Sequence, residues 1–207
     1  MNTRHHPRFL LWIAIVVLVP AVGIWCYRVK KTEWDAKNLY EQASRLQVGE
    51  ASQEEVLALL RTAPGKKYGF EPCLAGLPGC IGTITIENTP LSRLRLAPQT
   101  AFGVRLGISG GKLTNRYLAM DVDQMFGRGT FCDTFVNERV TAPEIPVFRV
   151  EEVSFHYGIN MTTEAPRDLK RLAYNFNFSC LTKIGGCKAP EEILPILGSK
   201  DIIGVNR

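Results

Sequence analysis

The sequence predicts an α+β fold: an N-terminal transmembrane helix, then two helices packed on an antiparallel sheet of five to six strands. Three observations carry that expectation. Phe9–Tyr27 is a run of nineteen uncharged, mostly apolar residues. Residues 32–62 place apolar side chains at helical spacing. From Ile81 onward the apolar period changes from 3.6 to 2.

The apolar run comes first. A helix rises about 1.5 Å per residue, so this run spans roughly 28 Å, close to the thickness of a bilayer's hydrocarbon core. Arg4 and Arg8 precede it, and Arg28, Lys30 and Lys31 follow it. Trp12, Trp25 and Tyr27 lie near its ends, where amphipathic rings favour the interface. Residues 1–8 then form a tail, 9–27 a signal-anchor and 32–207 a single domain. The rival reading is a cleaved signal peptide, since Ala21-Val22-Gly23 has the small residues a signal peptidase accepts. The basic flanks, two residues against three, are too balanced to orient the span.

The net charge of +5 is confined to this segment. All five charges of residues 1–31 are basic, leaving 20 Lys/Arg against 20 Asp/Glu. A globally basic nucleic-acid binder is therefore not indicated. The cysteines speak to compartment. Cys73 and Cys80 are separated by six residues, as are Cys180 and Cys187, and both intervals contain the glycine that a short ring requires. Two local disulfides are the natural reading, placing the domain outside the cytoplasm, in the periplasm or at the cell exterior. The competing readings are buried cytosolic thiols and a zinc site, whose ligand pairs usually stand closer. Cys26 and Cys132 are left over.

Along the domain, Ala36, Leu39, Tyr40, Ala43 and Leu46 form the buried stripe of a helix that Gly49 stops. Ser52 and Glu55 make the capping box of a second helix, ended by Pro64-Gly65. Strands are then expected at 81–86, around Leu94 and Leu96, at 102–108 and at 112–122, with Ser109-Gly110-Gly111 as a hairpin turn. Residues 123–144 lose periodicity and read as a long excursion. Strands resume at 148–160 and at 172–178. Pro190 opens a short helix that Pro195 limits.

The stretch Leu46–Leu60, LQVGEASQEEVLALL, resembles the opening of the small outer-membrane assembly lipoproteins of the SmpA/OmlA type and of the β-lactamase-inhibitor-like fold. The chain as a whole also resembles uncharacterised single-span bacterial envelope proteins with paired C-x6-C segments. The first resemblance implies two helices on an antiparallel sheet and a protein-binding role in the cell envelope. This chain departs from it in having no lipobox and a longer domain.

Catalytic groupings are scarce. His156 is the one histidine of the domain, so no two-histidine metal motif is available there. Cys132 with His156 is the one nucleophile–base pairing worth testing, and Asp121, Asp123 and Asp133 are the carboxylates that a hard cation would use. Between Glu87 and Asp121 no acidic residue occurs. Strand alternation there puts Arg93, Arg95 and Arg105 in a basic docking stripe for an acidic envelope protein, an anionic lipid or a charged polymer. The expectation is thus a binding or structural module of the envelope rather than an enzyme, held at the cytoplasmic membrane by a single span, with no cofactor and no metal. The alternatives are a Cys132/His156 thiol enzyme and a cytosolic-facing zinc domain.

Overall fold

The computed structural model describes residues 7–69, 72, 73, 75, 79–123, 130–142 and 146–199. Among these residues it is α+β, with five helices of known bounds and one seven-stranded sheet. Helix α1 (Pro7–Arg45) and α2 (Gln53–Thr62) are followed by β1 (Lys66–Tyr68), β2 (Cys80–Glu87), α3 (Thr89–Arg93), β3 (Thr100–Ser109), β4 (Lys112–Asp123), β5 (Thr130–Arg139), β6 (Phe148–Val153) and β7 (His156–Thr162). Helix α4 (Arg167–Ala173), a 3-10 turn (Phe178–Leu181) and α5 (Pro190–Ile193) complete the order, with a last 3-10 turn at Pro195–Gly198. The tail from residue 200 onward lies outside the described residues.

The apolar run and the first amphipathic helix are one continuous rod, α1, with Pro20 inside it. Its two halves meet different surroundings. Ala36, Leu39 and Ala43 are fully buried against the sheet, whereas Ile15–Val19, Val22 and Ile24 are 43–66% exposed. Among the described residues no helix is long and apolar enough to cross a membrane; the side chains of residues 9–14, the first six of the expected span, lie outside them. Helix α2 starts as its sequence dictates. The Ser52 hydroxyl accepts from the Glu55 N–H, and the Glu55 carboxylate accepts from the Ser52 N–H at 2.7 Å.

The sheet order is β1-β2-β3-β4-β5-β7-β6. The helices and the C-terminal turns cover one face, where Ile84, Phe102, Val104, Leu106, Leu118, Met120 and Ile159 are fully buried. Each such side chain contributes roughly 1.5–3 kcal/mol by leaving water. The aromatic cluster of Phe102, Phe176 and Phe178 closes the core under α1, with Tyr40 packed on Phe178.

Five expectations are corrected. The sheet is mixed, not purely antiparallel, because β5 and β7 run parallel, from Asp133↔His156 to Arg139↔Thr162. The excursion at 123–144 contains β5, while 124–129 and 143–145 lie outside the described residues. Val136 faces one side and Phe135 the other, and both are buried, so a strand covered on both faces shows no alternation. The expected strand around Leu94 is instead α3 and a turn, opened by Pro90 at its first positions. The expected strand at 172–178 is the end of α4 and an irregular link, in which Tyr174, Phe176 and Phe178 point inward without forming a ladder. Residues 148–160 make a hairpin, turning at Ser154 with φ 56°, rather than one strand.

Both local disulfides are present, Cys73–Cys80 and Cys180–Cys187. This removes the four thiols that the zinc reading needed. Cys26 is free and exposed; Cys132 is free and buried. Replacing Cys180 and Cys187 together with serine is expected to cost about 2–3 kcal/mol, the entropy that so short a closed loop removes from the unfolded chain. Urea unfolding with and without reductant measures it, and a loss under about 0.5 kcal/mol would contradict a stabilising bridge.

Candidate functional site

The most built-up polar site lies where α1 ends. Arg116 sits on β4 at a register position that otherwise carries Leu118 and Met120, so its side chain enters the core, where it is 6% exposed. One guanidinium nitrogen donates to the carbonyls of Ala43 (2.9 Å) and Leu46 (3.0 Å). At the helix end the Ala43 carbonyl also accepts from the Leu46 N–H (3.2 Å), while the guanidinium serves the Leu46 carbonyl just beyond it. The other donates to Glu138 Oε2 (2.5 Å) and to the Tyr174 hydroxyl (3.0 Å). The register places Glu138 directly opposite Arg116 across β4 and β5. Tyr174 donates to Glu138 Oε2 at 2.6 Å, and its ring lies under the guanidinium, 4.8 Å from centroid to carbon. Lys170, from α4, donates to Glu138 Oε1 (2.6 Å) and to the Thr163 carbonyl (2.9 Å).

Burial would push the Glu138 carboxyl up. The Arg116 charge and the hydrogen bonds from Lys170 and Tyr174 outweigh it and hold the group below its ordinary value. Burial likewise works against the Arg116 charge, and Tyr174 and Glu138 overcome it. Burial raises the Tyr174 phenol, so it stays protonated and donates. The network therefore carries two positive charges around one carboxylate, a pattern that satisfies a buried ion rather than leaving it bare.

This network floors a cavity of about 620 Å³ between the turn after α1 and the segment leading into α4. Gln47, Glu50, Glu164 and Arg167 contribute to its walls, with Arg116, Glu138 and Lys170 at the base. Two buried polar atoms of lining residues have no hydrogen-bond partner: Arg116 Nε and Ser44 Oγ. The site offers hydrogen-bond donors and both signs of charge in a concave surface.

The groups singled out from sequence lie elsewhere. Cys132 and His156 do not meet. The Cys132 thiol faces the core and contacts Thr134 Oγ1 at 3.1 Å, while His156 is on the opposite face with Nδ1 2.7 Å from Asp133 Oδ2. Burial pushes the thiol up, away from the thiolate that a nucleophile requires. Arg93 ends α3 and Arg95 follows in a turn with φ 54°; neither stands on a strand. Arg105 does, and its guanidinium lies 5.3 Å from the Tyr117 ring centroid. The stripe that strand alternation assembled is therefore two separate places. Among the described residues no cluster of three or more His, Cys, Asp or Glu is arranged to hold a metal.

Asp121 and Asp133 do come together, opposite each other across β4 and β5. Burial raises the Asp121 carboxyl first, then its hydrogen bond to Asp133 and that group's charge, with Asp123 adding and Arg105 opposing, to about 7. The folded state thus binds this proton more tightly than the unfolded chain, whose reference is 3.8. Stability from this pair is expected to fall as pH rises from about 4 to about 7. Glu138 acts in the opposite sense, losing stability only as pH falls below its ordinary 4.5. Thermal unfolding across this range checks the sign. Asp121→Asn should abolish the decline towards neutral pH, and an unchanged profile would place its cause elsewhere.

No known protein family matches this chain, and neither a curated protein nor a solved structure is similar to it. What the fold and site define is a class: an α+β domain, stapled by two local disulfides, with a polar cavity at the end of a long N-terminal helix. The sequence marks the cavity residues only weakly. One signal existed, since Arg116 occupies the same alternation as Leu118, Met120 and Val122 and so falls on the buried face.

Proposed function

We propose that this chain is a membrane-anchored binding module of the cell envelope. The apolar half of α1 spans the cytoplasmic membrane and the domain faces the periplasm or the exterior. The observation that carries the reading is that one helix joins the two ends. Its first half is apolar and exposed around its circumference at Ile15–Val19, Val22 and Ile24. Its last turn is clamped by Arg116 at the floor of the cavity. An all-round apolar helix needs an apolar surrounding. The two disulfides favour an oxidising compartment. From Tyr27 to Ala43 the helix rises roughly 24 Å, so the cavity stands well clear of the bilayer and open to a partner. The start of the lipoprotein-like stretch, Leu46, Gln47, Val48 and Glu50, lines the cavity, in keeping with a protein-binding role.

The cavity's mixed charge suits a polar segment of another envelope protein better than a uniformly acidic polymer. The test is site-specific photo-crosslinking in intact cells. Full-length chains carrying a photoreactive residue at Gln47 or Arg167 should give a discrete adduct, and a chain carrying it at Lys37 should not. Absence of any adduct from the cavity positions would sink the binding role. Labelling of Lys112→Cys by a membrane-impermeant maleimide tests the orientation in the same cells, and a protected thiol would reverse it.

A further inference from the structure

We propose that the membrane-proximal end of the domain rests on anionic lipid headgroups through the turn Arg93-Leu94-Arg95. This rests on α1 being the membrane anchor. The Trp25 indole, two residues before the apolar run ends, donates to the Pro90 carbonyl of α3 at 3.3 Å. That contact fixes α3 at the level where α1 leaves the membrane, next to Arg28. From the end of α3 the chain turns back sharply. Leu94 is 57% exposed, with an exposed arginine on each side.

The turn is rigid. Arg95 N–H donates to the Ser92 carbonyl (3.0 Å), Leu96 N–H to Leu91 (3.1 Å) and Gly185 N–H to Leu96 (2.7 Å). Leu91 is buried beneath it. The backbone at Arg95 is left-handed, φ 54°, a conformation that glycine adopts more cheaply. Among the described residues neither Arg93 nor Arg95 belongs to an ion pair. An apolar side chain held outward between two arginines, at the level of the interface, matches a surface of phosphate over hydrocarbon. Leu94 enters the acyl boundary while the guanidinium forks take the headgroup phosphates. The basic stripe is thereby reassigned: Arg93 and Arg95 face lipid, and Arg105 on the sheet does not share their role.

The experiment uses the full-length chain with Cys26→Ser, reconstituted into vesicles and carrying an environment-sensitive fluorophore at Leu94→Cys or, as reference, at Lys112→Cys. The vesicles are phosphatidylcholine alone or an equimolar mixture with phosphatidylglycerol, each containing a lipid-borne quencher. Flotation is read first. In the mixed vesicles the fluorophore at position 94 should be quenched and the one at 112 should not. Arg93→Gln and Arg95→Gln should each lower the ratio of lipid-contacting to free turn about fivefold. If the chain floats but position 94 is as unquenched as position 112, the docking is refuted and the anchor stands. If quenching is equal in neutral vesicles, the charge-led contact is refuted. If the chain does not float, both the anchor and this inference fall.

Discussion

Arg116→Met is expected to destabilise the domain by about 3–5 kcal/mol, a large share of the roughly 5–15 kcal/mol that holds a domain folded. Methionine retains most of the apolar stem. What it loses is specific. Glu138 stays buried with Lys170 and Tyr174 but without the guanidinium, the Leu46 carbonyl loses its side-chain donor, and the Ala43 carbonyl keeps only the Leu46 N–H. Glu138 keeps the Lys170 ammonium but loses its more deeply buried cation, and removing one partner of a buried pair costs more than the pair itself is worth. Arg116→Lys should recover little, because an ammonium on a flexible stem cannot serve helix carbonyls and a carboxylate with one planar fork. The double variant Arg116→Met with Glu138→Leu should recover much of the loss, since apolar replacement removes both charges together. Urea midpoints for the three variants decide the matter. A double variant no more stable than Arg116→Met would show that the helix carbonyls, not the buried charge, set the cost.

Gly158→Ala should cost about 3 kcal/mol, at the upper end of what overpacking produces. A Cβ at Gly158 would run into the Phe135 carbonyl oxygen and would lie 2.6 and 2.7 Å from two carbons of its ring. The oxygen belongs to the neighbouring strand, paired in register with Gly158, so relief requires β5 and β7 to part. The ring has little freedom either, because it stacks on Tyr117 at 5.3 Å, which in turn lies under Arg105. Gly158 is therefore the end of a row that crosses four strands. Hydrogen exchange should show β6 and β7 opening more readily in the variant while β2–β4 keep their protection. A fully protected β7 would contradict the clash.

The sequence alone determined the features that depend on neighbours close along the chain. Ser52 and Glu55 are three residues apart, so their capping box needs nothing but the local helix. The paired cysteines are seven apart, and a glycine-containing turn lets each ring close. In β2, β3 and β4 one face is largely buried and the other is not, so residues 81–86 and 102–122 advertise their period and their hairpin. The apolar run and its basic flanks are likewise local facts.

Tertiary structure decided the rest, for two physical reasons. Burial on both faces erases alternation, which hides β5 and with it the parallel pairing to β7. An i, i+2 row of side chains also arises in an irregular segment tethered to a core, so Tyr174, Phe176 and Phe178 mimic a strand, and Arg93 to Leu96 mimic another. The site follows from register. Arg116 finds Glu138 because β4 and β5 pair as they do, and it finds Ala43 and Leu46 because α1 happens to end above it. A charge's partner some seventy positions away is set by packing, and no spacing in the sequence records it.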